Sequence, residues 1–181
     1  MQRCLMLGCG HARPKRRIAA PTSLPEVETA WTTLDMDPEV EPDVVFNLAH
    51  IEVGGKLPFP ADTFDEIHAY EVLEHYGSPG NFKGFFTGMQ EYWRLLKPGG
   101  HLLGTSPAWN SRWAWGDPGH VRVIQEEQFF FLEKQNYVDY LANTSMTDYS
   151  KYVRPYWWHV RETRIDGGCF TFCLEKAVVD A

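Results

Sequence analysis

The sequence has few cysteines and no long apolar run. Its 4 cysteines, Cys4, Cys9, Cys169 and Cys173, match neither a Cys-x-x-Cys zinc motif nor a dense disulfide framework. No apolar segment approaches the roughly 18 residues that a membrane span needs. We therefore predict a soluble cytoplasmic protein with reduced thiols, no membrane segment and no metal ligands.

Positive charge is also scarce. The chain carries 17 basic and 24 acidic residues, a formal net charge of -7, so it lacks the global positive field that draws a protein to nucleic acid. One basic cluster, Arg13, Lys15, Arg16 and Arg17, is short enough to be a solvated loop, with a phosphate contact as the alternative. The hydrophobic share of 44% in 181 residues is sufficient for one core, which predicts a single domain over 1–181.

Strand patterns alternate with loops or helices along the chain. Short apolar segments predict parallel strands at 2–7, 31–34, 43–48, 66–70 and 101–105, and a hairpin at 156–165 and 169–176. Prolines interrupt the stretch after Gly10, leaving one short helix near 25–30. An apolar stripe predicts a helix over 82–96, ended by the Lys-Pro-Gly-Gly segment at 97–100, and acidic residues open another that runs from 125 towards 141. These elements indicate an α/β fold with a mostly parallel sheet.

A glycine turn follows the first predicted strand. Gly8 and Gly10 let a ligand approach the backbone at the carboxyl end of that strand, where open α/β sheets place their ligands. By itself, Gly-x-Gly is also a common tight turn. Asp35 ends the next strand, where a carboxylate can accept hydrogen bonds from both hydroxyls of a ribose.

Several segments in order resemble the class I S-adenosylmethionine-dependent methyltransferases, of the type 11 kind. They are Leu-Gly-Cys-Gly at 7–10, Leu-Asp-Met-Asp-Pro at 34–38, Glu-Val-Leu-Glu-His at 71–75 and Glu-Tyr-Trp-Arg-Leu-Leu-Lys-Pro-Gly-Gly at 91–100. The resemblance implies a Rossmann-like, mostly parallel seven-stranded sheet with a C-terminal antiparallel hairpin. It also implies helices on both faces, the first of them reduced, and S-adenosyl-L-methionine as the cofactor, with S-adenosyl-L-homocysteine as its product.

The resemblance also implies roles for individual residues. Gly8 and Gly10 would face the methionine part of the cofactor, Asp35 the ribose and Met36 the adenine. Asn47 and Leu48 would meet the adenine edge, with loop capping as the alternative for Asn47. Glu71 and His75 would line the cavity near the sulfonium, although a lone histidine is more often structural.

The acceptor side involves residues after the fifth strand. The segment at 117–120 is similar to one that closes over the active site in relatives, so Asp117 is a candidate for substrate contact, and His120 for a base or a capping residue. Trp109, Trp113 and Trp115 have flat surfaces suited to a planar base or a sugar, with ordinary lid packing as the alternative.

Two positions depart from the family pattern, and they keep other functions open. Met6 stands where an acidic residue is usual, and Ala12 replaces the third glycine. We predict methyl transfer to a small-molecule or nucleotide acceptor. The alternatives are a catalytically degenerate protein that binds a partner or the cofactor, and a nucleic-acid methyltransferase, which the acidic composition disfavours. A nicotinamide-dependent oxidoreductase fits the terminal hairpin poorly.

Overall fold

A single mixed sheet is the frame of the computed structural model, which describes residues 1–11 and 28–178. Its 7 strands lie in the order β3-β2-β1-β4-β5-β7-β6. They are β1 Gln2–Leu7, β2 Thr29–Asp35, β3 Val44–Val45, β4 Phe64–Tyr70, β5 Leu96–Pro107, β6 Trp158–Asp166 and β7 Cys169–Lys176. The first five pair in parallel and the last two are antiparallel. The predicted Rossmann-like class and the C-terminal hairpin are confirmed.

The predicted helix over 82–96 is present as α1, Phe82–Leu95. It begins where the side chain of Asn81 accepts a hydrogen bond from the Gly84 amide at 3.0 Å. Its apolar stripe buries Phe86, Met89 and Tyr92 against the sheet. The other described α-helices are short: α2 Arg112–Gly116, α3 Glu126–Phe130, α4 Lys134–Asp139 and α5 Ser150–Val153. The described 3-10 helices are Pro38–Val40, Leu48–Val53 and Leu141–Asn143.

The helix predicted near 25–30 is wrong at its C-terminal end. Thr29 and Ala30 belong to β2, where they lie beside Gln2 and Arg3 of β1. Pairing with β1 satisfies their backbone groups, whereas one isolated helical turn is unfavourable to nucleate. Residues 25–27 lie outside the described part of the chain, as do Ala12 and the basic cluster.

The single helix predicted from 125 towards 141 is also wrong, because the chain is divided there into α3 and α4. The Leu132 carbonyl accepts a hydrogen bond from the Trp158 amide at 3.1 Å. The Glu133 carboxylate accepts one from the Val160 amide at 2.8 Å. The Trp158 amide thus occupies a backbone carbonyl that a continuous helix would use internally, and the Glu133 side chain holds the start of β6 beside it.

Strand boundaries also differ from the prediction. β3 is only two residues long, because Asn47 caps a 3-10 helix immediately afterwards. β5 extends beyond 101–105 at both ends and includes the segment 97–100, which was predicted as a turn. Gly99 has φ +73°, a backbone conformation that glycine adopts readily, in the part of β5 where the register with β4 shifts.

Both faces of the sheet are buried at β1. Leu5 and Leu7 of β1 pack in the main core with α1. Because strand side chains alternate, Cys4 and Met6 face the opposite side, and they are buried there too. Only a single 3-10 turn connects β2 to β3. In the described residues, the connection between β2 and β3 therefore contains no α-helix, and residues 12–27 between β1 and β2 lie outside the described part of the chain.

Candidate active site

The site lies where the strand order reverses. β1 has β2 on one side and β4 on the other, so the loops that follow these strands diverge and leave a crevice. Gly8 follows β1 with φ +58°, and a Cβ added there would lie 2.5 Å from Cγ2 of Val72. The first glycine of the turn is therefore required both by its backbone conformation and by its close neighbour.

Asp35 holds the glycine turn in place. One carboxylate oxygen accepts a hydrogen bond from the Gly10 amide at 2.9 Å, and the other accepts one from the Asp37 amide at 3.0 Å. The Cys9 amide donates to the Leu34 carbonyl at 3.2 Å. The turn after β1 and the end of β2 thus form one connected unit.

This crevice contains a cavity of about 400 Å³, within the size range of small-molecule sites. Residues from the end of β2 lie on one side of the cavity, and residues from the loop after β4 lie on the other. The lining residues are Gly8, Leu34, Asp35, Met36, Phe46, Asn47, Leu48, Ala49, Val72, His75, Tyr76 and Gly77. Six of the sequence candidates therefore share one cavity: Gly8, Asp35, Met36, Asn47, Leu48 and His75.

Two features distinguish the β2 and β3 side of the cavity. Met36 is 63% exposed, a large apolar side chain open at the rim of the site. Asn47 accepts a hydrogen bond from the Ala49 amide at 2.9 Å, so it caps the 3-10 helix as well as lining the cavity. Asn47 therefore both caps the 3-10 helix and lines the cavity.

Glu71 and Gly10 are not among the residues that line the cavity. Glu71 follows β4 with φ +53°, a left-handed conformation that is uncommon for residues other than glycine. The Cys169 thiol lies 3.9 Å from its carboxylate. Burial, and then the charge of Glu71, raise the pKa of the Cys169 thiol above its usual value.

The two candidate histidines come together although 44 residues of chain separate them. Their rings meet edge to face with centroids 4.5 Å apart. The Val121 amide donates to the Glu74 carbonyl at 2.8 Å, which joins the His120 segment to the loop after β4. Arg122 and Glu52 form an ion pair at 3.1 Å. Asp117 reaches His120, with Oδ2 3.9 Å from Nε2.

Glu74 is the residue that sequence reasoning missed. It is 1% exposed, and neither of its carboxylate oxygens has a hydrogen-bond partner among the described residues. Burial raises the pKa of Glu74 to about 8, and the charges of Glu71 and Asp117 act in the same direction. Its position beside His75 in Glu-x-x-Glu-His was the available signal, but sequence does not show which of two nearby glutamates is buried.

The three tryptophans lie on the surface and do not line the cavity. Trp109, Trp113 and Trp115 are 54%, 58% and 72% exposed. The Trp115 indole donates to the Trp109 carbonyl at 2.7 Å, and the Arg112 guanidinium lies 4.9 Å from the Trp113 ring centre. They form an exposed aromatic surface around α2.

A second cavity of about 340 Å³ lies between the start of α1 and the segment that contains α3. Its walls are mainly aromatic, with Phe82, Phe85, Phe131 and Tyr149 among them, and Arg122 supplies a charge. In the sequence, Phe82 and Phe85 belong to the apolar stripe that predicts α1. The packing of α5 and the loops leaves this space open, which periodicity along one helix does not predict.

None of the described helices has the length and apolar character of a membrane span.

The sequence matches the methyltransferase domain family over residues 5–104. An uncharacterized chloroplastic methyltransferase of Arabidopsis thaliana is 28% identical over 102 residues, which are 55% of this chain and 26% of the relative. The chain thus spans about a quarter of the length of that curated relative.

Solved structures share the fold. A structure of a SAM-dependent methyltransferase from Methanosarcina mazei has a TM-score of 0.53 at 15% identity, with 98% of this chain and 93% of that chain covered. The N-methyltransferase NodS from Bradyrhizobium japonicum, in complex with S-adenosyl-L-homocysteine, has a TM-score of 0.52 at 13% identity, with 97% and 78% covered. The family match covers more than half of the chain and includes the glycine turn, β4 and α1. The chain therefore belongs to the methyltransferase domain family, the class I S-adenosylmethionine-dependent methyltransferases.

Proposed function

We propose that this chain transfers a methyl group from S-adenosylmethionine to a small-molecule or nucleotide acceptor. The observation that carries the proposal is the cavity between the ends of β1, β2 and β4. A glycine corner, a carboxylate and apolar side chains line it together. These groups match the amino acid, ribose and adenine parts of the cofactor.

The residues fit the cofactor by their chemistry. An ionised carboxylate has about four lone-pair sites, of which the Gly10 and Asp37 amides use two at Asp35. The others are free to accept the ribose hydroxyls. Met36 and Leu48 offer apolar contact for the adenine, and Gly8 leaves its backbone uncovered for the methionine part.

The bound cofactor supplies the activated methyl group, so the chain's own part is alignment and exclusion of water. His75 and His120 are the candidate bases for the acceptor, because an imidazole nitrogen can accept a proton from a hydrogen-bonded group. Candidates for acceptor contact are Asp117, Trp109, Trp113 and Trp115. The net charge of -7 favours a small molecule or nucleotide over nucleic acid, and we propose a cytoplasmic location.

Calorimetric titration with S-adenosylmethionine and S-adenosylhomocysteine tests the cofactor assignment. Asp35→Asn removes the charge from the ribose position, and we expect binding to weaken about tenfold or more. Asp37→Asn is the matched control, because this exposed carboxylate caps the next 3-10 turn and does not line the cavity. Absence of binding to the wild type at millimolar ligand would contradict the proposal.

Binding without turnover is the second candidate function. It is favoured by Met6, an apolar side chain that is 5% exposed on β1 where the family has an acid. Incubation with S-adenosylmethionine and pooled small-molecule extracts distinguishes the two functions. Acceptor-dependent release of S-adenosylhomocysteine supports transfer, whereas tight binding with no product from any pool supports the degenerate alternative.

A further inference from the structure

Three potential metal ligands meet beside the cofactor cavity. One ligand atom each from Glu74, His75 and His120 lie within 4.8 Å of one another. Metal–ligand bonds of about 2.0–2.2 Å place neighbouring ligand atoms of a tetrahedral site about 3.3–3.6 Å apart, so side-chain rotations that bring the three atoms roughly 1 Å closer would close the set around one ion. The three residues come from two distant parts of the chain.

Three polar atoms of this cluster have no hydrogen-bond partner among the described residues. The Glu74 oxygens and Nδ1 of His120 are buried and have no hydrogen-bond partner among the described residues. The His120 side chain is only 7% exposed. Buried polar groups are normally paired, and an ion is one of the ordinary explanations where they are not.

The surroundings also orient the cluster. Nδ1 of His120 is the better candidate for the ligand atom because it has no hydrogen-bond partner among the described residues. The other ring nitrogen, Nε2, lies 3.9 Å from Oδ2 of Asp117. Histidine ligands commonly direct their second nitrogen at a carboxylate, which sets the ring orientation. The Val121–Glu74 backbone bond and the Arg122–Glu52 ion pair hold the two segments together.

We propose that Glu74, His75 and His120 bind a divalent first-row transition cation. Two imidazoles with one carboxylate suit zinc, manganese, cobalt or iron, and three protein ligands leave coordination positions open. This departs from the expectation of no metal ligands, which came from the sequence.

The cation's place suggests its use, and this step rests on the proposed function. His75 belongs both to the cluster and to the cofactor cavity wall. With the ion bound, His75 and His120 would act as ligands in place of the base role. An acceptor hydroxyl bound at an open position would lose its proton to solvent more readily, because a divalent cation stabilises the oxyanion. The inference therefore favours an oxygen nucleophile as the acceptor atom.

Direct metal titration tests the site without any activity assay. Protein without an affinity tag, stripped with a chelator and desalted, is titrated with Mn²⁺ by electron paramagnetic resonance and with Co²⁺ by visible absorption. We expect one ion per chain in the wild type, and at least tenfold weaker binding in both Glu74→Gln and His120→Asn. Urea unfolding checks each variant, and the second keeps the test decisive if the first does not fold.

Two controls make the assignment specific. His159→Asn alters an exposed histidine on β6 and should bind as the wild type does. Cys4→Ser addresses the other group of potential ligands in the described residues, Cys4, Glu66 and His68, on the opposite face of the sheet. Binding that disappears in Cys4→Ser but persists in Glu74→Gln and His120→Asn overturns the proposal, as does no stoichiometric binding at millimolar ion. Cofactor titration of the protein with and without added Mn²⁺ tests the proposed function separately: no cofactor binding in either state contradicts that function, whereas failure of the metal titration alone contradicts only the cation site.

Discussion

At Gly8, backbone conformation and space both require the absence of a side chain. Alanine there would adopt an unfavourable φ near +58° and place its Cβ against Val72. We expect Gly8→Ala to lower the free energy of unfolding by about 2 kcal/mol or more and to weaken cofactor binding. Urea unfolding and calorimetry measure the two effects.

Gly10 provides the control for that prediction. It has a similar φ of +50°, but a Cβ there meets nothing within 4 Å among the described residues. Gly10→Ala should therefore lower the free energy of unfolding by only about 1 kcal/mol, which comes from the backbone conformation alone. Equal losses in the two variants would show that the contact with Val72 is unimportant.

At the scale of elements, the N-terminus of α1 depends on one side chain. The Asn81 side chain accepts a hydrogen bond from the Gly84 amide, so Asn81→Ala removes the acceptor for that donor. We expect the free energy of unfolding, measured by urea titration, to fall by about 1 kcal/mol. Asn81→Asp keeps an acceptor at the cap and should retain most of the stability; a similar loss in both variants would assign the effect to packing.

The terminal hairpin contains an ion pair that should make its stability depend on pH. The Arg161 guanidinium donates to Glu175 at 2.6 Å, and this bond holds the pKa of Glu175 below its ordinary value of 4.5. The folded state therefore binds fewer protons than the unfolded state in acid. The stabilisation is present above pH 4.5 and is lost as pH falls through the folded pKa.

Glu175→Gln should consequently lower the free energy of unfolding by up to about 1 kcal/mol at pH 7, since the pair is partly exposed. The difference from the wild type should vanish in acid, below the folded pKa. Glu162→Gln on β6 is the control, because Glu162 forms no ion pair among the described residues, and this variant should differ little from the wild type. A difference that persists in acid would attribute the effect to packing.

At the scale of the whole molecule, the proposed cofactor site joins segments from β1 to the loop after β4. A ligand that binds only the folded chain at 100 times its Kd stabilises it by about 2.7 kcal/mol. For a chain of 181 residues this corresponds to a rise in Tm of roughly 5–10 °C. We expect that rise with S-adenosylhomocysteine in a thermal unfolding scan.

The same scan on Asp35→Asn should show a much smaller rise at the same ligand concentration. Adenosine alone, which lacks the amino acid part, should stabilise the wild type less. An equal rise in the wild type and in the variant would place the ligand elsewhere.

Local sequence determined the elements whose signals are contained within them. The Gly8 corner, the Asn81-capped helix and the hairpin around Gly167 each follow from residues a few positions apart, because turn conformation and helical periodicity are short-range properties. The order of the motifs identified the family, and with it the parallel sheet and the place of Asp35 at the cavity.

Only the tertiary structure decided which distant groups meet. The bond from the Trp158 amide to the Leu132 carbonyl lies where the predicted helix is divided after α3, because a strand far along the chain satisfies that backbone group. Burial of Glu74 and its approach to His120 depend on how the segment at 117–122 packs on the loop after β4. Desolvation and ligand geometry arise from the surroundings in space, so the candidate cation site became visible only in the folded chain.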